Sequence, residues 1–162
     1  MSFVSINVYV YVCICFVDYE KAFDRVDWRK MMWMFKDIGV DRRDRNLIAK
    51  LYLAQRAVIR IGGELFGCCI IRQGVRQGCA LTPLLFNIYI QYVINEALEN
   101  IQEGVKVGGV LIPAIRFAYD QAMVSHTVRG LQIIMDALQD TSVKYNMRIN
   151  TKKTKIMRMS TV

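Results

Sequence analysis

The chain has 162 residues, is 54% hydrophobic and carries 22 Lys and Arg against 14 Asp and Glu. This length and apolar content suit one domain with a real core and exclude a disordered chain, and the formal charge of +8 favours a polyanionic partner. The five cysteines are odd in number, lack a C-x-x-C pair and have His126 as their only imidazole companion, so the pattern suggests neither a zinc site nor a disulfide framework, with a reducing compartment the default.

The opening from Met1 to Val17 is rich in Val, Ile and Tyr and runs straight into the charged Asp18-Tyr19-Glu20-Lys21. It has no basic leader region and no small-residue cleavage site, so it reads as a buried strand and not as a targeting signal or membrane span. Asp27 is placed to cap a helix running to Ile38, with Trp28, Met31, Met32, Met34 and Phe35 as its apolar side and Gly39 as its stop. Asp41 opens a second helix, with Asp44 at the capping-box spacing and Leu47, Ile48, Leu51 and Tyr52 as its stripe. Two β-rich runs, Val58 to Ile61 and Leu65 to Ile71, flank Gly62-Gly63 and read as a hairpin. Thr82-Pro83 is a cap followed by proline at the first helical position, and the apolar run Leu84 to Ile94 predicts the most buried helix. Short strands follow from Val105 to Val124, then a helix from Val128 to Tyr145 and a last strand near Lys155 to Met159. His126 is expected to be a strand residue near any site that this region forms.

This order of elements is that of an α+β fold, a ferredoxin-like (split βαβ) antiparallel sheet packed on helices, in which neighbouring central strands present acids at one point. The motifs narrow it. Phe16-Val17-Asp18-Tyr19-Glu20-Lys21-Ala22-Phe23-Asp24 puts an acid at a strand end with an aromatic ring five positions on. Arg72 to Asn87 is a glycine-containing loop feeding a helix, suited to phosphates and base edges. Phe117-Ala118-Tyr119-Asp120 sets one acid three positions after an aromatic residue within the run of short strands, and Asn150-Thr151-Lys152-Lys153-Thr154 is a basic stretch before the last strand.

In this order the four segments resemble the palm of a reverse transcriptase of the non-long-terminal-repeat (LINE-type) retrotransposon class, and the resemblance runs from Phe16 to Met159. It implies an RNA-directed DNA polymerase palm spanning residues 1–162 as a single partial domain, with fingers and thumb largely absent. It assigns Asp18, Asp120 and Lys153 to catalysis, with Asp18 and Asp120 as magnesium ligands and Lys153 reaching the pyrophosphate. Phe23, Arg76, Gln77 and Gly78 become nucleotide-binding residues, Phe23 lying under the incoming sugar. Asp24 is left to brace the turn.

The implied partners are an RNA template, a DNA primer and deoxynucleoside triphosphates, in a nuclear or cytoplasmic setting without a membrane. The sequence departs from the family at Tyr119, where an aromatic-x-Asp-Asp turn would carry its first, metal-binding aspartate. A phenol with an ordinary pKa of about 10 is neutral at physiological pH and adds almost no charge to such a site. The expectation is an impaired polymerase domain, possessing Asp18 and Asp120 but not the third acid; a non-catalytic nucleic-acid-binding or interaction module is the alternative.

Overall fold

The computed structural model describes residues 11–53, 55–117 and 120–160. Tyr119, its neighbour Ala118 and residues 1–10, where the sequence led us to expect the start of the first strand, lie outside the described residues.

Strand β1 (Tyr11–Val17) is followed by a one-turn helix α1 (Ala22–Arg25), then α2 (Trp28–Asp37) and α3 (Arg42–Tyr52). The hairpin β2 (Arg56–Ile61) and β3 (Glu64–Ile70) leads to the long helix α4 (Thr82–Leu98). A small hairpin, β4 (Val105–Val107) and β5 (Val110–Ile112), precedes β6 (Ala114–Phe117), β7 (Asp120–Ser125), α5 (Val128–Lys144) and β8 (Lys155–Ser160). The main sheet has the order β6-β7-β1-β8 with every pair antiparallel. This is the expected α+β palm-like layout, sheet on one side and helices on the other.

Alternation along the central strands decides which side is covered. Cys13, Cys15 and Val17 are buried, and their register partners Ser125, Met123 and Gln121 are buried with them. Phe16, one step out of phase, is 47% exposed. Helices α4 and α5 supply the inner layer through Phe86, Tyr89 and Val93 on one and Leu131, Ile134 and Leu138 on the other. Each such side chain contributes on the order of 1.5–3 kcal/mol when fully buried, which makes α4 the spine that its apolar run predicts.

Helix starts follow local chemistry in three of four long helices. Asp27 accepts from the amides of Arg29 (2.9 Å) and Lys30 (3.2 Å), Asp41 from Arg43 (2.7 Å) and Thr127 from Gly130 (2.9 Å). Thr82 differs from expectation. It is already the first residue of α4, Leu81 is the cap and provides no side-chain bond, and the Thr82 hydroxyl donates to the Arg76 carbonyl. The hydroxyl therefore fixes the preceding loop to the helix.

The β2–β3 hairpin forms as its glycine turn predicts, with Gly62 and Gly63 at φ +58° and +90°. All of its residues are exposed, Val58, Ile59, Leu65 and Phe66 among them. Its neck is closed by Gln55, whose carbonyl accepts from the Ile71 amide and whose side chain donates to Leu51.

Between the two core helices, the buried Tyr89 hydroxyl donates to the Tyr145 carbonyl at 2.6 Å. Tyr89→Phe deletes the donor and leaves that carbonyl unpaired. We expect a loss of about 1–2 kcal/mol in urea unfolding with an unchanged m-value; an unchanged midpoint would show the bond to be energetically idle.

Candidate active site

The antiparallel register sets the site. Val17 pairs with Gln121 at the end of β1, so Asp18 leaves the sheet where β7 begins with Asp120. The two carboxylates line one cleft of about 280 Å³ together with Val17, Tyr19, Phe23 and Phe86. Phe23 stacks at a tilt on Phe86, with centroids 4.6 Å apart, and so forms an apolar wall beside the acids.

Asp18 is held through its backbone. Its amide donates to the Thr154 hydroxyl at 3.3 Å and its carbonyl accepts from the Asn150 amide at 2.7 Å. Its Oδ2 is buried with no hydrogen-bond partner among the described residues. A buried carboxylate oxygen without a partner costs free energy unless a cation or donor arrives. Asp120, by contrast, is exposed. Burial pushes the Tyr19 hydroxyl up to about 12, an effect its bond to Ser142 only partly offsets, so this phenol adds no charge to the cleft.

The loop of the second motif is clamped onto the turn after Asp18. The amides of Val75 and Gly74 donate to the carbonyls of Phe23 and Val26 at 2.8 Å each, the Gln73 side chain donates to the Asp24 carbonyl, and the Trp28 indole donates to the Gly74 carbonyl at 2.6 Å. Gly74 has φ +90°, and a Cβ there would stand 3.0 Å from the Asp24 Cα, so close approach demands glycine. Beyond the clamp, Arg76, Gln77 and Gly78 are exposed and do not contribute to the lining of the Asp18 cleft. Phe23 thus shares that cleft, whereas the three loop residues sit next to it through the Val75 bond.

Lys153 borders a neighbouring groove of about 570 Å³ with Lys21, Arg25 and Lys152. Glu20, the one acid in its lining, is paired with Arg148 at 3.3 Å, and the Arg25 Nε is buried without a partner. Tyr19 borders both hollows, and Asn150 ties them together: its amide binds Asp18 while its side chain caps the amides of Lys152 and Lys153 at 3.2 and 3.3 Å.

His126 departs from expectation. It follows the far end of β7 from Asp120, where its Nδ1 lies 3.2 Å from the Tyr11 carbonyl oxygen. Gln121 escaped sequence reasoning altogether: it is 3% exposed and neither side-chain polar atom has a partner. Its signal was a lone amide between Asp120 and the apolar run Ala122-Met123-Val124.

The sequence profile of the reverse transcriptase (RNA-dependent DNA polymerase) family matches residues 8–162. The chain belongs to that family. It is 29% identical over 126 residues to a retrovirus-related Pol polyprotein from a type-1 R2 retrotransposable element of Nasonia vitripennis, covering 78% of this chain and 12% of that protein. It is also 29% identical over 149 residues to an RNA-directed DNA polymerase from the mobile element jockey of Drosophila funebris, covering 88% of this chain and 16% of that protein. The non-long-terminal-repeat affinity drawn from the motifs agrees with these relatives, of which the chain spans less than a fifth. In fold it matches telomerase from Candida tropicalis, solved in complex with a fragment of telomeric RNA, with a TM-score of 0.73 and 12% identity over 95% of this chain and 27% of that one.

Among the described residues no three acids, histidines or cysteines gather as a metal cluster, and no helix is long and apolar enough to cross a membrane. Asp18 and Asp120 with an unpartnered oxygen fit a single magnesium ion completed by substrate oxygens. Without such an ion the Asp18 carboxylate is a liability. We expect Asp18→Asn to raise stability by about 0.5–2 kcal/mol in metal-free buffer, the trade between stability and function seen at strained sites. A fall in the urea midpoint would instead make Asp18 a structural residue.

Proposed function

We propose that residues 1–162 form a reverse transcriptase palm whose catalysis is impaired at the metal site. The observation that carries this reading is the cleft itself, which unites Asp18, Asp120 and Phe23 while the sequence supplies Tyr119 where the family's first turn aspartate belongs. Asp18 and Asp120 would hold magnesium, and the ion's contribution when bound is to draw charge from reacting phosphate oxygens. Phe23 would lie beneath the sugar of an incoming nucleotide and exclude a ribose 2′-hydroxyl by contact. Arg76, Gln77 and Gly78 would meet the nucleotide and template from the adjoining loop. Lys153 would approach the pyrophosphate from the basic groove. RNA template, DNA primer and deoxynucleoside triphosphates are the corresponding ligands, within an intracellular setting.

The expected polymerase defect follows from one side chain. Two-metal displacement clamps both the attacking and the leaving oxygen, and neutral Tyr119 removes a negative charge from the place where two divalent ions would sit. We expect no primer extension on an RNA template with magnesium or manganese. Grafted into an intact R2-type polymerase, residues 11–160 should leave the chimera inactive, and Tyr119→Asp should restore synthesis. Synthesis by the unmodified chimera that is lost with Asp18→Asn would show that two carboxylates suffice, and impairment would be withdrawn.

Nucleic-acid binding is expected to survive without the missing acid, because it rests on the groove of Lys21, Arg25, Lys152 and Lys153. Single-stranded binding of this kind weakens with salt at a slope of roughly 0.7 per phosphate contact. Lys152→Gln with Lys153→Gln should therefore lower the slope of log affinity against log salt by about 1.4 in fluorescence anisotropy. An unchanged slope would assign binding to another surface.

A further inference from the structure

The β2–β3 hairpin stands clear of the core. Its strands form a two-stranded sheet of their own and every residue in both is exposed, with Val58, Ile59, Ile61, Leu65, Phe66 and Ile70 as large apolar side chains in solvent. A hairpin of two strands is marginal in water alone and gains from a third.

Of its two edges, β2 is the better template. The Gln55 carbonyl accepts from the Ile71 amide, so Gln55, Ala57, Ile59 and Ile61 aim their backbone groups at β3 while Arg56, Val58 and Arg60 aim theirs outward. No hydrogen bond among the described residues reaches those outward groups. The β3 edge is blunted, because Gly67, at φ +57°, is the extra residue of a bulge where the register shifts between Val58 and Ile59. β2 has neither bulge nor proline.

The side chains of β2 set the charge of what docks there. Arg56, Val58 and Arg60 share one face of the hairpin, with the Cα atoms of the two arginines about 13 Å apart at the ordinary strand rise. Neither arginine has an ion-pair partner among the described residues, and Glu64, the hairpin's acid, pairs with Ile61 on the other face. A second copy of this chain is a poor occupant: pairing β2 with β2 about Val58 would set each Arg56 against an Arg60, and like charges directly opposite are destabilising. Acids are the complement. A strand laid along β2 puts residues four apart opposite Arg56 and Arg60, whichever way it runs, with its middle residues beside Ala57, Val58 and Ile59.

We propose that the β2 edge docks an extended segment of a partner protein, one with two acidic residues four positions apart and apolar or β-branched residues between them. The segment adds a third strand through the outward backbone groups of Arg56, Val58 and Arg60, and its acids meet the two guanidiniums. The site stands independently of the polymerase reading, because the hairpin lines neither the Asp18 cleft nor the basic groove.

The test uses the full chain and fluorescein-labelled peptides read by anisotropy. The probe is SEVTIES, whose glutamates are four positions apart, and its permutation SVEETIS keeps the composition and charge but sets the acids side by side, on opposite faces of a strand. We expect saturable binding of SEVTIES about fivefold tighter than of SVEETIS, the worth of two exposed cross-strand charge pairs. Arg56→Gln with Arg60→Gln, both fully exposed positions, should remove that difference. N-methylation of the central threonine of SEVTIES, which blocks its strand pairing and leaves the protein untouched, should abolish saturation. Equal binding of the two peptides, undiminished binding of the N-methylated one, or SEVTIES binding unchanged in the arginine double variant would each overturn the proposal. So would the absence of saturable SEVTIES binding, and a single-stranded oligonucleotide whose affinity falls in that variant would then assign the face to nucleic acid.

Discussion

The register between β1 and β7 is the constraint on which the site depends. Pairing Val17 with Gln121 puts the last inward residue of one strand opposite the second residue of the other, so Asp18 and Asp120 emerge together at the sheet's end. Side chains alternate with a period of two, and a slip of one residue would turn Cys13, Cys15 and Met123 out of the core while separating the acids. Core burial thus enforces the placement of the polar groups. The cost of ordering an unpartnered carboxylate is carried by hydrophobic contacts beneath it, where Met123, Ile134 and Leu138 are fully enclosed.

A second constraint ties three distant segments to the turn after Asp18. Residues 73–75 clamp it from one side through Phe23, Asp24 and Val26, and Asn150 and Thr154 hold Asp18 from the other. The Asn146 side chain completes the junction by donating to the Arg25 carbonyl at 2.9 Å. These bonds run mainly through backbone atoms, so they fix the path of the chain without using the Asp18 Oδ2 or the groove lysines' ammonium groups. Gly74 is the narrow point of the arrangement, because only a residue without Cβ can hold φ +90° that close to Asp24.

Local rules made much of this legible from sequence. The Asp27 and Asp41 starts, the Gly62-Gly63 hairpin turn and the apolar α4 all depend on residues within a few positions of one another. Thr82 misled because its hydroxyl bonds six residues back to Arg76 instead of capping its own helix. His126 misled because proximity in sequence to Asp120 becomes distance along β7, whose length separates them. The meeting of Lys21 and Arg25 with Lys152 and Lys153 was illegible for a different reason: it requires the long-range bond between Asn150 and Asp18, which no spacing encodes. The hairpin's complete exposure was hidden as well, since alternating Val and Ile describe a strand but not what covers it.

The two hollows that meet at Tyr19 have opposite electrostatic characters, and their separation bears on what a family member can retain. The cleft gathers the carboxyl groups of Asp18 and Asp120, and under the proposed function its chemistry would depend on a divalent ion. The groove gathers Lys21, Arg25, Lys152 and Lys153, and as a proposed phosphate surface it would need no ion. On the proposed reading, a neutral residue at position 119 would weaken metal binding in the cleft without removing any cation from the groove. The shared Asn150 positions both groups through its backbone and amide without belonging to either charge set. Because those bonds start from Asn150 and not from the carboxylates, the path of the chain between the two hollows does not depend on the charge that the cleft carries.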